Sequence, residues 1–263
     1  MKIKLIIQTL FVTFSVVTSC STKKDKQNEE QITISSTTEG QETNDSLLNS
    51  VTGNVTMKQI ASFPNKVILT GLNDHRLVTI YKSRQSLNSS KNSNTSKYSY
   101  DSDEDGDESN EHFMPGIDIL FGYNLLNIAH YDLKLERGNF LFSHPVLVKT
   151  FYYPSFVQDS LDKQPVNRNY YLVSVYDEDT NKDSLINKKD LRRFYYFDAT
   201  SATKTQLIPA DYSAIRSQYD SKNDYMYLFA RHDENKNGTQ DKTESINVFW
   251  FSLKTPDKAK LLY

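Results

Sequence analysis

Aromatic side chains change abruptly in frequency along this 263-residue chain, and that step limits what part of it can fold. Phe11 and Phe14 lie near the N-terminus and the next aromatic is Phe63. Every other member of a set of 17 Tyr, 14 Phe and one Trp falls between there and Tyr263. From Ser21 to Ser62 the chain is mostly Ser, Thr, Asn, Gln, Glu and Lys. Such a stretch cannot bury enough apolar surface to offset the entropy lost on ordering it, so residues 20–56 read as a flexible tether. Residues 57–263 then form one folded region, long enough for a sizeable core. Inside it, Ser83 to Lys97 is polar and low in complexity, with no Gly or Pro to set a tight turn. That composition predicts a disordered insert between strands.

The folded region reads as β. Leu77–Tyr81, Tyr170–Tyr176, Phe194–Phe197, Tyr225–Phe229 and Val248–Phe251 are β-branched or aromatic runs. Most are near-continuous apolar blocks, which predicts strands covered on both faces. No segment of helical period and length competes. An internal repeat adds to this. At an offset of 54 residues Asp179 falls on Asp233, Asp190 on Glu244, Phe194–Phe197 on Val248–Phe251 and Leu207 on Leu261. A looser copy starts at His75, with Leu77–Tyr81, the polar insert, an acidic loop and then Ile117–Tyr123. A period near 50 is the size of one propeller blade. The unit Tyr225–Leu261 resembles a TolB-type propeller blade, and the likeness covers 170–263 better than 57–150. It implies an all-β, open, propeller-like array of about three blade-like antiparallel sheets. Three are too few to close a ring, and a β-sandwich is the alternative.

Thirty-one Lys and Arg against 33 Asp and Glu leave a net charge of -2, which argues against an electrostatic nucleic-acid binder. The single cysteine, Cys20, excludes an internal disulfide framework and every multi-cysteine metal site. His75, His112, His130, His144 and His232 show no HxH or HExxH spacing and read as loop or packing residues. There is no GxSxG elbow, P-loop or dinucleotide fingerprint. The aromatic runs Phe151–Tyr153 and Phe194–Phe197 have the chemistry to stack sugars, but buried strands are the simpler reading.

Three acidic loops carry the chemistry. Residues 233–244 resemble an EF-hand loop at every critical position. Asp233, Asn235 and Asn237 stand at positions 1, 3 and 5, Gly238 at the sharp turn, and Thr239 offers its carbonyl at 7. Asp241 stands at 9 and Glu244 at the bidentate position 12. Residues 179–190 resemble the dockerin form of that loop. Asp179, Asn181, Asp183, the Leu185 carbonyl, Asn187 and Asp190 are its ligands, and Ser184 replaces the glycine. A left-handed backbone at that serine costs on the order of 1 kcal/mol. In the third, residues 101–112, Asp101, Asp103, Asp105 and Gly106 fit the motif, and Asp107 is a further candidate ligand. Position 12, however, is His112, leaving Glu111 or Asp118 to close the shell. The resemblance implies Ca2+, bound by oxygens at alternate positions of a tight loop. With strands rather than helices flanking the loops, the ion would be structural instead of driving an opening switch.

The N-terminus is an address. Lys2 and Lys4 precede an apolar run, Leu5 to Val17, too short to span a bilayer comfortably, and the segment ends Val17-Thr18-Ser19-Cys20. This resembles the lipobox of bacterial lipoproteins. The resemblance implies removal of residues 1–19, acylation of Cys20, and anchoring in the cell envelope. Ser21 resembles the sorting signal for the outer membrane of a Gram-negative bacterium. Two functions are expected from different classes. One is a calcium-stabilised binding or scaffolding lipoprotein with a protein or glycan partner and no catalytic residue. The other is a surface hydrolase or carbohydrate-binding component with a loop-built site.

Overall fold

In a computed structural model of the chain, residues 51–52, 56–83, 114–122 and 124–263 are described. The signal segment, Cys20, most of the tether, residues 84–97 of the polar insert and the whole 101–112 loop lie outside them. Every element among the described residues is a strand, and every pairing is antiparallel. A two-residue strand, β1 (Val51–Thr52), precedes the first large sheet. That sheet orders β2 (Ser62–Leu69), β3 (His75–Lys82), β5 (Leu125–Asp132) and β6 (Arg137–Phe140). The middle sheet starts from β4 (Ile117–Phe121) at one edge. It continues through β7 (Leu147–Pro154), β10 (Tyr170–Tyr176) and β12 (Arg193–Asp198) to β13 (Lys204–Gln206). The third sheet runs β14 (Tyr212–Asp220), β15 (Tyr225–His232), β16 (Ile246–Ser252) and β17 (Lys260–Leu261). Two small ribbons complete the set: β8 (Asp159–Leu161) with β9 (Gln164–Val166), and β1 with β11 (Leu185–Ile186). The described residues are all-β, and among them no sheet closes into a barrel.

Side-chain burial explains the layering. One core cluster joins Ile68, Leu77, Leu125 and Ile128 of the first sheet to Phe151, Tyr171, Val173, Tyr195 and Phe197 of the middle one. The other joins Tyr152, Tyr170, Leu172 and Phe194 of the middle sheet to Met226, Leu228, Phe249 and Phe251 of the third. The middle sheet is therefore covered on both faces, and all seven residues of β10 are buried. This is why its sequence is an unbroken apolar run. Each Leu, Val or Phe so enclosed contributes about 1.5–3 kcal/mol of transfer free energy. The outer sheets differ from the expectation: β3, β15 and β16 alternate buried with partly exposed residues, because only one of their faces meets another sheet.

The 54-residue offset corresponds to real equivalence, since β10 and β12 of the middle sheet map onto β15 and β16 of the third. The looser copy from His75 is corrected. Its two strands part company: β3 pairs with β2 and β5, whereas β4 pairs with β7 across the register Ile117↔Pro154 to Phe121↔Thr150. Sequence order placed the two strands together, but backbone pairing sends β4 to the free edge of the middle sheet.

Polar contacts fasten the middle and third sheets at both ends. The guanidinium of Arg168, fully enclosed, forks onto Asp224 with Nη1–Oδ2 at 3.0 Å and Nη2–Oδ1 at 2.7 Å. It also donates to the carbonyls of Pro115 and Leu253. At the other end Arg192 donates to the carbonyls of Ala214 and Ile215, and its own amide is received by Ser213 Oγ at 2.9 Å. The acidic loops 179–190 and 233–244 lie at this second end, immediately after β10 and β15.

Candidate metal centre

The two described acidic loops adopt the same local conformation. Each has a left-handed residue at its fourth position, Lys182 (φ 64°) and Lys236 (φ 57°). Each has another at its sixth, Ser184 (φ 72°) and Gly238 (φ 72°). The hydrogen bonds that set this turn are matched one for one. The first carboxylate receives the amide of position 5, Asp183 N to Asp179 Oδ1 at 3.0 Å and Asn237 N to Asp233 Oδ1 at 3.1 Å. Its other oxygen receives the amide of position 6, at 2.8 Å from Ser184 and 3.0 Å from Gly238. Asn181 and Asn235 accept from position 5, and Asp183 and Asn237 accept from position 7. At position 9, Asn187 and Asp241 accept the amide two residues on. Position 12 accepts the amide of position 9, at 2.8 Å for Asp190 and 3.3 Å for Glu244. Short side-chain acceptors spaced two apart are what fold the backbone into this turn.

The loops also touch each other. Thr180 Oγ donates to the Gly238 carbonyl at 2.5 Å and accepts the Leu191 amide at 2.8 Å. Asp190 and Thr239 form an antiparallel bridge, and Gln240 N donates to the Lys189 carbonyl at 3.3 Å. Gly238 is required here twice over: its φ is positive, and a Cβ on it would run into the carbonyl oxygen of Thr180. A third contact comes from β1, whose Val51 and Thr52 pair with Ile186 and Leu185 at positions 8 and 7 of the 179–190 loop. Ile186 is buried with Leu126, Leu147 and Tyr176, and Met57 and Ile60 pack on that cluster.

Burial divides the expected ligands. Asp233, Glu244, Asn187 and Asp190 are buried, whereas Asp183, Asn235 and Asn237 are exposed. Asp179, Asn181, Leu185, Thr239 and Asp241 are half-buried. Burial pushes the Asp190 carboxyl up from its ordinary range, opposed by the amides of Asn187, Asn181 and Thr180 that it accepts. Asp241 is held low by the Thr243 amide and hydroxyl. Among the described residues, no three His, Cys, Asp or Glu side chains are gathered as they would be around a metal ion. Three of the six expected positions in each loop are Asn amides or a backbone carbonyl. The other three are carboxylates, Asp233, Asp241 and Glu244 in one loop and Asp179, Asp183 and Asp190 in the other, and these are not drawn together. One oxygen fits a cation directly. Glu244 Oε1 is buried and has no hydrogen-bond partner, while Oε2 of the same carboxylate points to the loop amide of Asp241. The 101–112 loop, with Asp101, Asp103, Asp105 and Asp107, lies outside the described residues.

The remaining candidates resolve simply. His75 and His130 stack between the first and middle sheets, with Nε2 of His130 2.9 Å from Nδ1 of His75. His144 contacts the Asp177 carbonyl, and His232 contacts Asp211. Phe151, Tyr152, Phe194, Tyr195 and Phe197 are core residues and present no ring to solvent. Sequence reasoning missed Thr180, which occupies an unconstrained position of the loop motif, and it missed Arg168 and Asp224, which belong to no motif. No protein-family model matches this chain, and no curated protein is detectably similar to it.

Proposed function

We propose that this chain is a calcium-stabilised, non-enzymatic binding or scaffolding lipoprotein of the bacterial cell envelope. Its lipid anchor is Cys20, and its folded part consists of propeller-like blades in an open array. The observation that carries the calcium reading is Glu244 Oε1, a buried carboxylate oxygen without a partner at the bidentate position of a loop already folded in the EF-hand manner. Leaving a buried charged oxygen unpaired costs several kcal/mol, and a hard divalent cation relieves that cost while accepting the other oxygens of the loop. Asp233, Asn235, Asn237, the Thr239 carbonyl, Asp241 and Glu244 would hold the ion, and the 179–190 loop packs against them. The ion supplies local order; no reaction is assigned to it.

The blade reading is supported by the four-stranded meander of the third sheet, β14 to β17, and by the face-to-face stacking of the three large sheets through two core clusters. The envelope reading rests on the Val17-Thr18-Ser19-Cys20 sequence, with several acyl chains contributing about 0.8 kcal/mol per buried methylene. Of the seven rings in the runs Phe151–Tyr153 and Phe194–Phe197, five lie in the core and Tyr153 and Tyr196 are half-buried, which favours the packing reading of those runs.

Two experiments test these readings. Calorimetric titration of the detergent-purified full chain with calcium is expected to give saturable binding, in the micromolar to millimolar range, that Glu244→Gln abolishes; an unaltered isotherm in that variant refutes the site. Fractionation of cells producing Cys20→Ala is expected to move the protein out of the membrane fraction, and retention there refutes the anchor.

A further inference from the structure

We infer that Asp190 is a brace and not a ligand, so that the paired loops take one calcium ion, in residues 233–244, and the 179–190 loop is complete without metal. The inference rests on the calcium reading above and decides which loop is filled.

The two position-12 carboxylates are equivalent in sequence and opposite in circumstance. Asp190 is fully buried, and both its oxygens accept amides, three in all. Oδ1 accepts the amides of Thr180 at 2.8 Å and Asn181 at 3.2 Å, and Oδ2 accepts the amide of Asn187 at 2.8 Å. A carboxylate oxygen offers two lone pairs, so Oδ1 is spent. Oδ2 keeps one lone pair, but a bidentate grip on an ion would have to free a half-buried amide, of Thr180 or Asn181, from Oδ1. Glu244 is one methylene longer and only 9% exposed; Oε2 makes a single long bond of 3.3 Å and Oε1 makes none. Arg231 donates through Nη1 to the carbonyls of Lys242 and Glu244, and its buried Nε has no partner. The position-12 carboxylate of one loop is met by that loop's amides, and that of the other keeps a buried oxygen without a partner.

The same contacts give Asp190 a different task. It fixes Thr180, whose hydroxyl holds the Gly238 carbonyl, and its own backbone bridges Thr239, the residue whose carbonyl is position 7 of the neighbouring loop. The 179–190 loop thus sets the backbone of 233–244 in place before an ion arrives, which lowers the ordering cost of binding.

Equilibrium dialysis against calcium alone, with metal counted per chain, tests this. The full chain carries D101N, D103N and D105N so that the first acidic segment does not contribute. One ion per chain is expected. Glu244→Gln is expected to lose it, with Asp241→Asn as a second variant weakening it at least tenfold should the first fold poorly. Asp183→Asn in the other loop is expected to leave the ratio at one. Asp190→Asn is expected to lower the melting temperature in chelator as well as in calcium, as a brace does. Two ions per chain, or loss of the ion in Asp183→Asn with retention in Glu244→Gln, overturns the inference and leaves the calcium reading standing. An Asp190→Asn variant that melts normally in chelator and loses calcium stabilisation also overturns it. No ion in the parent overturns the calcium reading itself and this inference with it.

Discussion

Ser184 and Gly238 occupy the same backbone conformation, φ 72° in both, and differ in what surrounds them. Ser184 is exposed and carries a side chain in a region that costs an L-residue about 1–2 kcal/mol. Ser184→Gly is therefore expected to stabilise the protein by about 1 kcal/mol in chemical denaturation, after the entropy that glycine gains in the unfolded chain is discounted. Gly238→Ala combines the conformational cost with a collision against the Thr180 carbonyl and is expected to destabilise by more than 2 kcal/mol in the same experiment. A Gly238→Ala loss no larger than the Ser184→Gly gain would show that the contact between the loops is not made.

At the scale of elements, the middle and third sheets depend on a charge pair shut away from water. Arg168 and Asp224 are both almost wholly enclosed, and Tyr219 and Tyr170 complete the network by donating to Asp224 and to the Leu253 carbonyl. Removing one partner leaves the other charge buried and uncompensated, so Asp224→Asn is expected to cost about 3–5 kcal/mol in denaturant unfolding. Asn tolerates the left-handed backbone found at this position (φ 56°), which isolates the charge as the cause. A cost below 1 kcal/mol would contradict the reading. Between the first and middle sheets, burial pushes His130 below its ordinary range, with Asn139 and the carboxylates of Asp132 and Asp198 opposing and His75 assisting. Below about pH 6.5 the unfolded chain binds a proton that the folded chain refuses. This histidine's contribution to stability is therefore full above that pH and declines as the pH falls through it. The melting temperature of the parent is expected to drop more between pH 7.5 and 5.5 than that of His130→Gln; parallel curves would refute the assignment.

At the scale of the whole molecule, the strands were legible because aromatic and β-branched runs such as Tyr170–Tyr176 have no comfortable place except a packed sheet. The 54-residue offset was legible because equivalent strands and loops recur in the same order. Partner choice was not. Ile117–Phe121 follows the polar insert and reads as a partner of β3, yet it extends the middle sheet, since pairing is decided by edges and register that no local pattern encodes. The two loops were legible as short polar acceptors at alternate positions, which fold each backbone into the same turn. Their pairing was not, because Thr180 and the β1 clip at Leu185–Ile186 occupy positions where the motif accepts any residue.

The central claim is that an ion in this pair of loops is part of the fold, and thermal unfolding of the purified full chain tests it most directly. At calcium a hundredfold above its dissociation constant, mass action stabilises by about 2.7 kcal/mol. For a domain of this size that raises the melting temperature by roughly 5–10 °C. The account predicts that a chelator removes that increment, that calcium restores it, and that Glu244→Gln melts at the chelated temperature in both conditions. A melting temperature indifferent to chelator and to added calcium would contradict it.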